Sequence, residues 1–205
     1  MVHQIIFNYK ISGPLLMVIL LLGCRPSHLK EYDKPYFDFD SLVAAQIKIV
    51  SSQKDSIYKI SELDTKKDSS RFALDSTRLA HEWDVFLQLD AMNKPMYKGH
   101  YEITESTDTK SNLRVRSYVA KPQSYNKIKF SIPFVRFYFH EDFKKLKRIE
   151  SQYVEQNALY FTTRNLLLTF DDQSGELYIK NYLIKGSQKM ILNDTVKFSI
   201  KGSIE

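Results

Sequence analysis

From Tyr97 to the C-terminus the chain is a succession of apolar and aromatic stretches broken by turn sequences, and an antiparallel sheet is the arrangement that absorbs this pattern. Leu113, Val115 and Val119 alternate with Arg114, Arg116 and Tyr118, and Lys127–Phe134 places Ile128, Phe130, Ile132 and Phe134 on one side. Alternation with period two marks a strand with one buried face. Residues 145–155, 157–170, 177–190 and 196–204 read the same way. Asp171-Asp172-Gln173-Ser174-Gly175 and Leu192-Asn193-Asp194-Thr195 are turn sequences. Connections this short join strands that run antiparallel. One echo lies across the second turn: Ile184-Lys185-Gly186-Ser187 returns as Ile200-Lys201-Gly202-Ser203. Four residues are too few for a repeat, but they suit similar ends of neighbouring strands.

The first half adds two helices. Asp40 or Ser41 is the expected cap of the first, in which Val43, Ile47 and Val50 share a face with Leu42 and Gln46 beside them, ending near Ser52. A strand at Ile57–Leu63, a polar turn at 64–68 and a returning segment at 71–74 follow. Asp75 or Ser76 caps the second helix, whose stripe is Leu79, Trp83, Phe86 and Leu87. Asn93-Lys94-Pro95 ends it, because proline disfavours helical geometry in the residue before it. The fold expected is α+β: two N-terminal helices packed on a curved, mostly antiparallel sheet of about six to eight strands.

The N-terminus carries an address. Lys10 precedes an uninterrupted apolar run from Leu15 to Leu22, followed at once by Gly23 and Cys24. This is the order of a secretory signal, and the run is well short of the roughly 20 apolar residues that a spanning helix needs. Leu21-Leu22-Gly23-Cys24 resembles the bacterial lipobox, and Cys24 is the only cysteine. The resemblance implies cleavage between Gly23 and Cys24, a diacylglycerol on the Cys24 sulfur and an acylated new amine. Several acyl chains give a stable anchor, since each buried CH₂ contributes about 0.8 kcal/mol. The expected organisation is a signal peptide at 1–23, a lipidated tether at 24–36 and one soluble domain at 37–205. In Bacteroidota lipoproteins an acidic run after the cysteine directs export to the surface. Arg25, His28 and Lys30 stand there instead, so the outer membrane, facing the periplasm, is the expected location. The opening Phe37-Asp38-Phe39, the helix bearing Trp83 and the aromatic, lysine-rich second half resemble small envelope lipoproteins of Bacteroidota. That resemblance brings no activity, and so no functional residues.

Catalytic motifs are absent from the sequence. His81-Glu82 lacks a second histidine four residues on, where Val85 stands, and no Gly-x-Ser-x-Gly elbow is present. A lone cysteine permits neither an internal disulfide nor a multi-cysteine zinc site. His140-Glu141-Asp142 is the densest polar cluster, and it suits a solvated turn or an acid–base pair. Trp83 lies on the helix stripe, where core packing is the expected role and anchoring a partner the alternative. Tyr118, Phe130, Phe134, Tyr153, Tyr160, Tyr178 and Tyr182 fill a core or line a ligand cavity. The net charge of +6 is spread among acidic residues and speaks for solubility. The chain is thus expected to be a lipid-anchored, non-enzymatic envelope component without cofactor or metal. Its partners would be the membrane through Cys24 and either an envelope protein or an apolar ligand, and not nucleic acid. An envelope hydrolase acting on glycan or lipid through His140, Glu141 and Asp142 is the alternative.

Overall fold

A computed structural model describes residues 33–53, 55–173 and 175–205. Gly23 and Cys24 lie outside the described residues, as does the leader. Helix α1 (Phe39–Ser52) starts one turn before the expected caps, because the Asp38 carboxylate accepts from the Ser41 amide at 3.1 Å and from its hydroxyl at 2.6 Å. Starting there brings Phe39 into the core with Val43, Gln46 and Val50, all on one helical face. Strands β1 (Ser56–Leu63) and β2 (Lys66–Ala73) form a hairpin about Asp64-Thr65, with Asp64 in left-handed geometry. Asp75 caps α2 (Ser76–Leu87), whose backbone tightens into a 3₁₀ segment, Gln88–Asn93, before Pro95. Leu79, Trp83 and Phe86 are buried along α2.

The remaining strands are β3 (Tyr101–Asp108), β4 (Leu113–Ala120), β5 (Phe134–Phe139), β6 (Leu146–Gln156), β7 (Tyr160–Gln173), β8 (Glu176–Met190) and β9 (Thr195–Ile204). They make a continuous meander, and β1 pairs with β9, so that the order is β2-β1-β9-β8-β7-β6-β5-β4-β3. Each neighbouring pair is antiparallel. The class is α+β and a hairpin separates the two helices, as expected, but the sheet has nine strands. No helix among the described residues is long and apolar enough to cross a membrane.

The stretch expected as a strand at Lys127–Phe134 is mostly a folded connection, and β5 begins only at Phe134. Its alternation has another cause. Phe130 and Ile132 are buried, and Phe130 stacks on Tyr97 with centroids 5.3 Å apart. Tyr97 donates to the Lys129 carbonyl (3.0 Å) and Tyr101 to the Ile132 carbonyl (2.7 Å). Tyrosine hydroxyls thus satisfy backbone groups that a ladder would otherwise take, and Pro133 has no N–H to offer one.

The compact unit spans Lys34–Glu205. Lys34 bridges Asp38, Asp40 and Asp90 at 2.5, 2.8 and 3.0 Å, and the Tyr36 hydroxyl donates to the Tyr97 carbonyl at 2.9 Å. The Lys34 ammonium, followed by the Ser41 hydroxyl, holds the Asp38 carboxyl down at about 2. These three carboxylates lie within 4.8 Å of one another, and an ammonium already fills the space between them. The last residues before α1 are therefore clamped to the domain.

Candidate functional site

Helix α2 crosses one face of the sheet, and the cross-strand registers show what lies under it. Lys59, Gly202, Tyr182, Leu168, Ile149 and Phe137 are successive neighbours from β1 across to β5. The next row toward the β8–β9 turn holds Ser61, Ile200, Ile184, Leu166 and Ser151, and the third holds Leu63, Phe198, Gly186, Arg164 and Tyr153. Side chains two apart on a strand share a face. The first row is covered: Leu168, Ile149 and Phe137 are buried, and Tyr182 is wedged beneath α2. The third row emerges from under the helix, with Phe198 and Arg164 half-buried and Leu63 exposed.

Between α2 and these rows runs an open groove of about 360 Å³. Ile184, Phe198 and Ile200 form its floor, and Val85 and Gln88 of α2 form its wall. At one end Glu82 accepts from Lys59 Nζ at 2.9 Å and from the Tyr182 hydroxyl. Burial, then the Glu82 carboxylate, pushes the Tyr182 phenol above its usual range, so Tyr182 stays a donor and Lys59–Glu82 is internally neutralised. At the other end the Arg164 guanidinium donates to the Gln88 side-chain oxygen at 3.0 Å and lies 5.4 Å from the Tyr153 ring centroid. Arg164 has no ion pair among the described residues, although Asp84 stands on the groove rim. An unpaired guanidinium beside an apolar floor suits a carboxylate or phosphate on an apolar body, since its fork matches those oxygens.

The glycine echo explains this geometry. Ile184 and Ile200 are direct partners in register, and about that pair Gly186 faces Phe198 while Gly202 faces Tyr182. Each glycine makes room for the aromatic ring opposite. A Cβ on Gly202 would lie 2.1 Å from Tyr182 Cε1, and one on Gly186 would lie 2.8 Å from Phe198 Cζ and 2.1 Å from the Thr163 carbonyl oxygen. Tyr182 can therefore lie low enough to reach Glu82, and Phe198 can lie flat as the groove floor.

Of the residues singled out from sequence, Trp83 is fully buried in the core and its indole N–H has no hydrogen-bond partner. Its contribution is apolar area. Tyr118, Phe130 and Tyr182 are buried, and Phe134, Tyr153, Tyr160 and Tyr178 are half-buried at separated points of the sheet. Among the described residues they are shared out between core and surface rather than gathered at one point. The space between helices and sheet is filled by Phe39, Val43, Val50, Leu79 and Trp83. His140, Glu141 and Asp142 form an exposed turn in which Glu141 adopts left-handed geometry and pairs with Lys145. Asp142 caps the following turn through the Lys144 amide at 2.9 Å. Asp172 lines the same shallow surface, but its carboxylate accepts from the Gly175 amide at 2.9 Å. The carboxylates of this cluster are thus engaged separately, although His140, Glu141 and Asp172 border one surface pocket. A second pairing invisible in the sequence joins His100 Nδ1 to Ser124 Oγ at 2.9 Å. It staples the entry of β3 to the β4–β5 connection. No protein-family model, no curated protein and no solved structure matches the chain.

Proposed function

We propose that the chain is a cell-envelope component held by lipid on Cys24, at the outer membrane and facing the periplasm, and that it binds rather than catalyses. Its ligand is an amphiphile with an anionic head, bound in the groove beside α2. The observation that carries this reading is the placement of Arg164. It is a half-buried guanidinium without a carboxylate partner among the described residues, set at the end of the floor made by Ile184, Phe198 and Ile200. The head group would meet Arg164, and the apolar body would cover Phe198 toward Leu63. Burying half a dozen methylenes in this way is worth about 5 kcal/mol at about 0.8 kcal/mol each, and one charge-assisted pair adds about 1.5–3 kcal/mol.

Fluorescence titration with dansylaminoundecanoic acid tests the reading. The wild-type chain should give saturable enhancement, and Arg164→Gln should weaken it by about tenfold or more, equivalent to about 1.4 kcal/mol. The methyl ester of the probe should bind the two proteins alike. Enhancement that does not saturate, or equal affinity of the acid for both proteins, would remove the groove as a binding site.

A further inference from the structure

The connections of the meander alternate between two ends of the sheet, and one end differs from the other in kind. The β1–β2, β4–β5, β6–β7 and β8–β9 connections and the entry to β3 all lie at this end, as the registers require. Two of its hairpins project. Leu63, the last residue of β1, is level with Phe198 and Gly186, whereas β8 runs on to Met190, four residues further. At the rise of an extended strand that is roughly 13 Å.

The projecting tips are apolar. Leu192 is 93% exposed, Ile191 and Leu159 are each 68% exposed, and Phe161 and Met190 adjoin them. They are also built. The Asn157 side chain accepts from the amides of Leu159 (2.8 Å) and Tyr160 (3.0 Å), and the Ile191 amide donates to the Leu159 carbonyl (3.2 Å), tying the two turns into one prong. Large side chains held into water on ordered backbone need a partner.

Charge says which partner. Along the same end of the sheet, from β2 at one edge to the entry of β3 at the other, stand Lys66, Lys98, Lys127, Lys129 and Lys189, exposed and without ion pairs among the described residues. The acids at this end are Glu62, paired with Lys67, Asp64, whose carboxylate accepts from the Lys197 amide, Glu155, which holds the Tyr160 hydroxyl, Asp194 at the turn and Glu102 at the start of β3, so that the lysines outnumber the acids left over. At the opposite end Glu141, Asp142, Asp171, Asp172 and Glu205 balance the lysines. An apolar prong on a sheet end carrying unpaired ammonium groups matches the interface of an anionic bilayer, with apolar tips at the acyl boundary and lysines among the headgroups. We infer that the β6–β7 and β8–β9 tips dock the domain on an anionic phospholipid surface through Leu159, Ile191 and Leu192. The dock is separate from any lipid on Cys24. It would turn the groove's open side, marked by Leu63 and Phe198, toward the membrane from which an amphiphile would come.

The test uses the full chain with Cys24→Ser, so that no thiol lipid contributes. A nitrobenzoxadiazole label is placed at Leu192→Cys or, separately, at Leu159→Cys, with Ser111→Cys at the opposite end as the control. Vesicles of phosphatidylcholine with 30% phosphatidylglycerol should shift the tip labels to shorter wavelength and reduce their quenching by iodide at least threefold. They should leave the Ser111 label unchanged, and pure phosphatidylcholine should have little effect. Changing Lys127 and Lys129 to Gln should weaken the tip response severalfold. Tip labels quenched as freely with anionic vesicles as without them would overturn the inference, as would equal protection at Ser111 or in neutral vesicles. Because the thiol is absent throughout, failure here leaves the anchor and the groove to their own tests.

Discussion

Gly202→Ala should lower the stability of the domain by about 3 kcal/mol, the upper range for overpacking a core. For a chain of this size the melting temperature should fall by roughly 10 °C. The added methyl would meet Tyr182 Cε1 at 2.1 Å and Cζ at 2.2 Å. Tyr182 is buried and cannot swing aside, because α2 lies above it and its hydroxyl is held by Glu82. The ring must rise, which breaks the hydroxyl–carboxylate bond and lifts α2 from the sheet. The cause is separable from any effect of alanine on strand propensity. In a Tyr182→Ala background the ring is gone, and Gly202→Ala should then cost less than 1 kcal/mol, giving a coupling of about 2 kcal/mol. Urea unfolding of the four proteins measures it. Equal costs of Gly202→Ala in both backgrounds would mean that the glycine is not there for the tyrosine.

Gln46→Ala should be as damaging, at about 3–4 kcal/mol, although it deletes a polar side chain from a helix. Its carbonyl oxygen accepts from the Ile179 amide at 2.6 Å, and its NH₂ donates to the Leu177 carbonyl at 2.9 Å. The pairing of β9 with β8 ends at Ser203 opposite Asn181, and β8 is bulged against β7 around Lys180. The Gln46 side chain thus continues the ladder where the neighbouring strand has run out. Removing it strands the buried Ile179 amide and the part-buried Leu177 carbonyl, and a buried group so stranded costs about 1–3 kcal/mol. Gln46→Met keeps the volume and loses both bonds. It should remain within about 1 kcal/mol of the alanine variant if hydrogen bonding is the cause, whereas recovery to near wild-type stability would point to packing instead.

What the sequence disclosed divides by distance along the chain. The Asp75 cap, the stripe of Leu79, Trp83 and Phe86, the hairpin at Asp64 and the long β7–β8–β9 meander are set by residues within a few positions of one another, and they were legible. Asp38 was missed as the first cap because its choice over Asp40 depends on Phe39 reaching the core beside Phe137, a contact across almost a hundred residues. Ile128, Phe130 and Ile132 alternate like a strand, but they answer to Tyr97 and Tyr101 rather than to a neighbouring ladder. Gln46 stood beside the apolar face of α1 with nothing nearby to show that it pairs with β8. The groove was hidden for the same reason: Lys59, Glu82, Arg164 and Phe198 meet only after β1 has paired with β9 and α2 has crossed both. The glycine echo was visible from the start, and a small residue opposite an aromatic one was a signal that could have been read from it.

The proposed anchoring at the membrane begins at residue 24. Mass spectrometry of protein extracted from its native host decides the matter through the tryptic peptide Cys24–Lys30, since Pro26 protects the bond after Arg25 from trypsin. A peptide that starts at Cys24 and carries a diacylglyceryl thioether with an acylated amine is the predicted result. A free thiol at Cys24, or a chain still joined to Gly23, would contradict it.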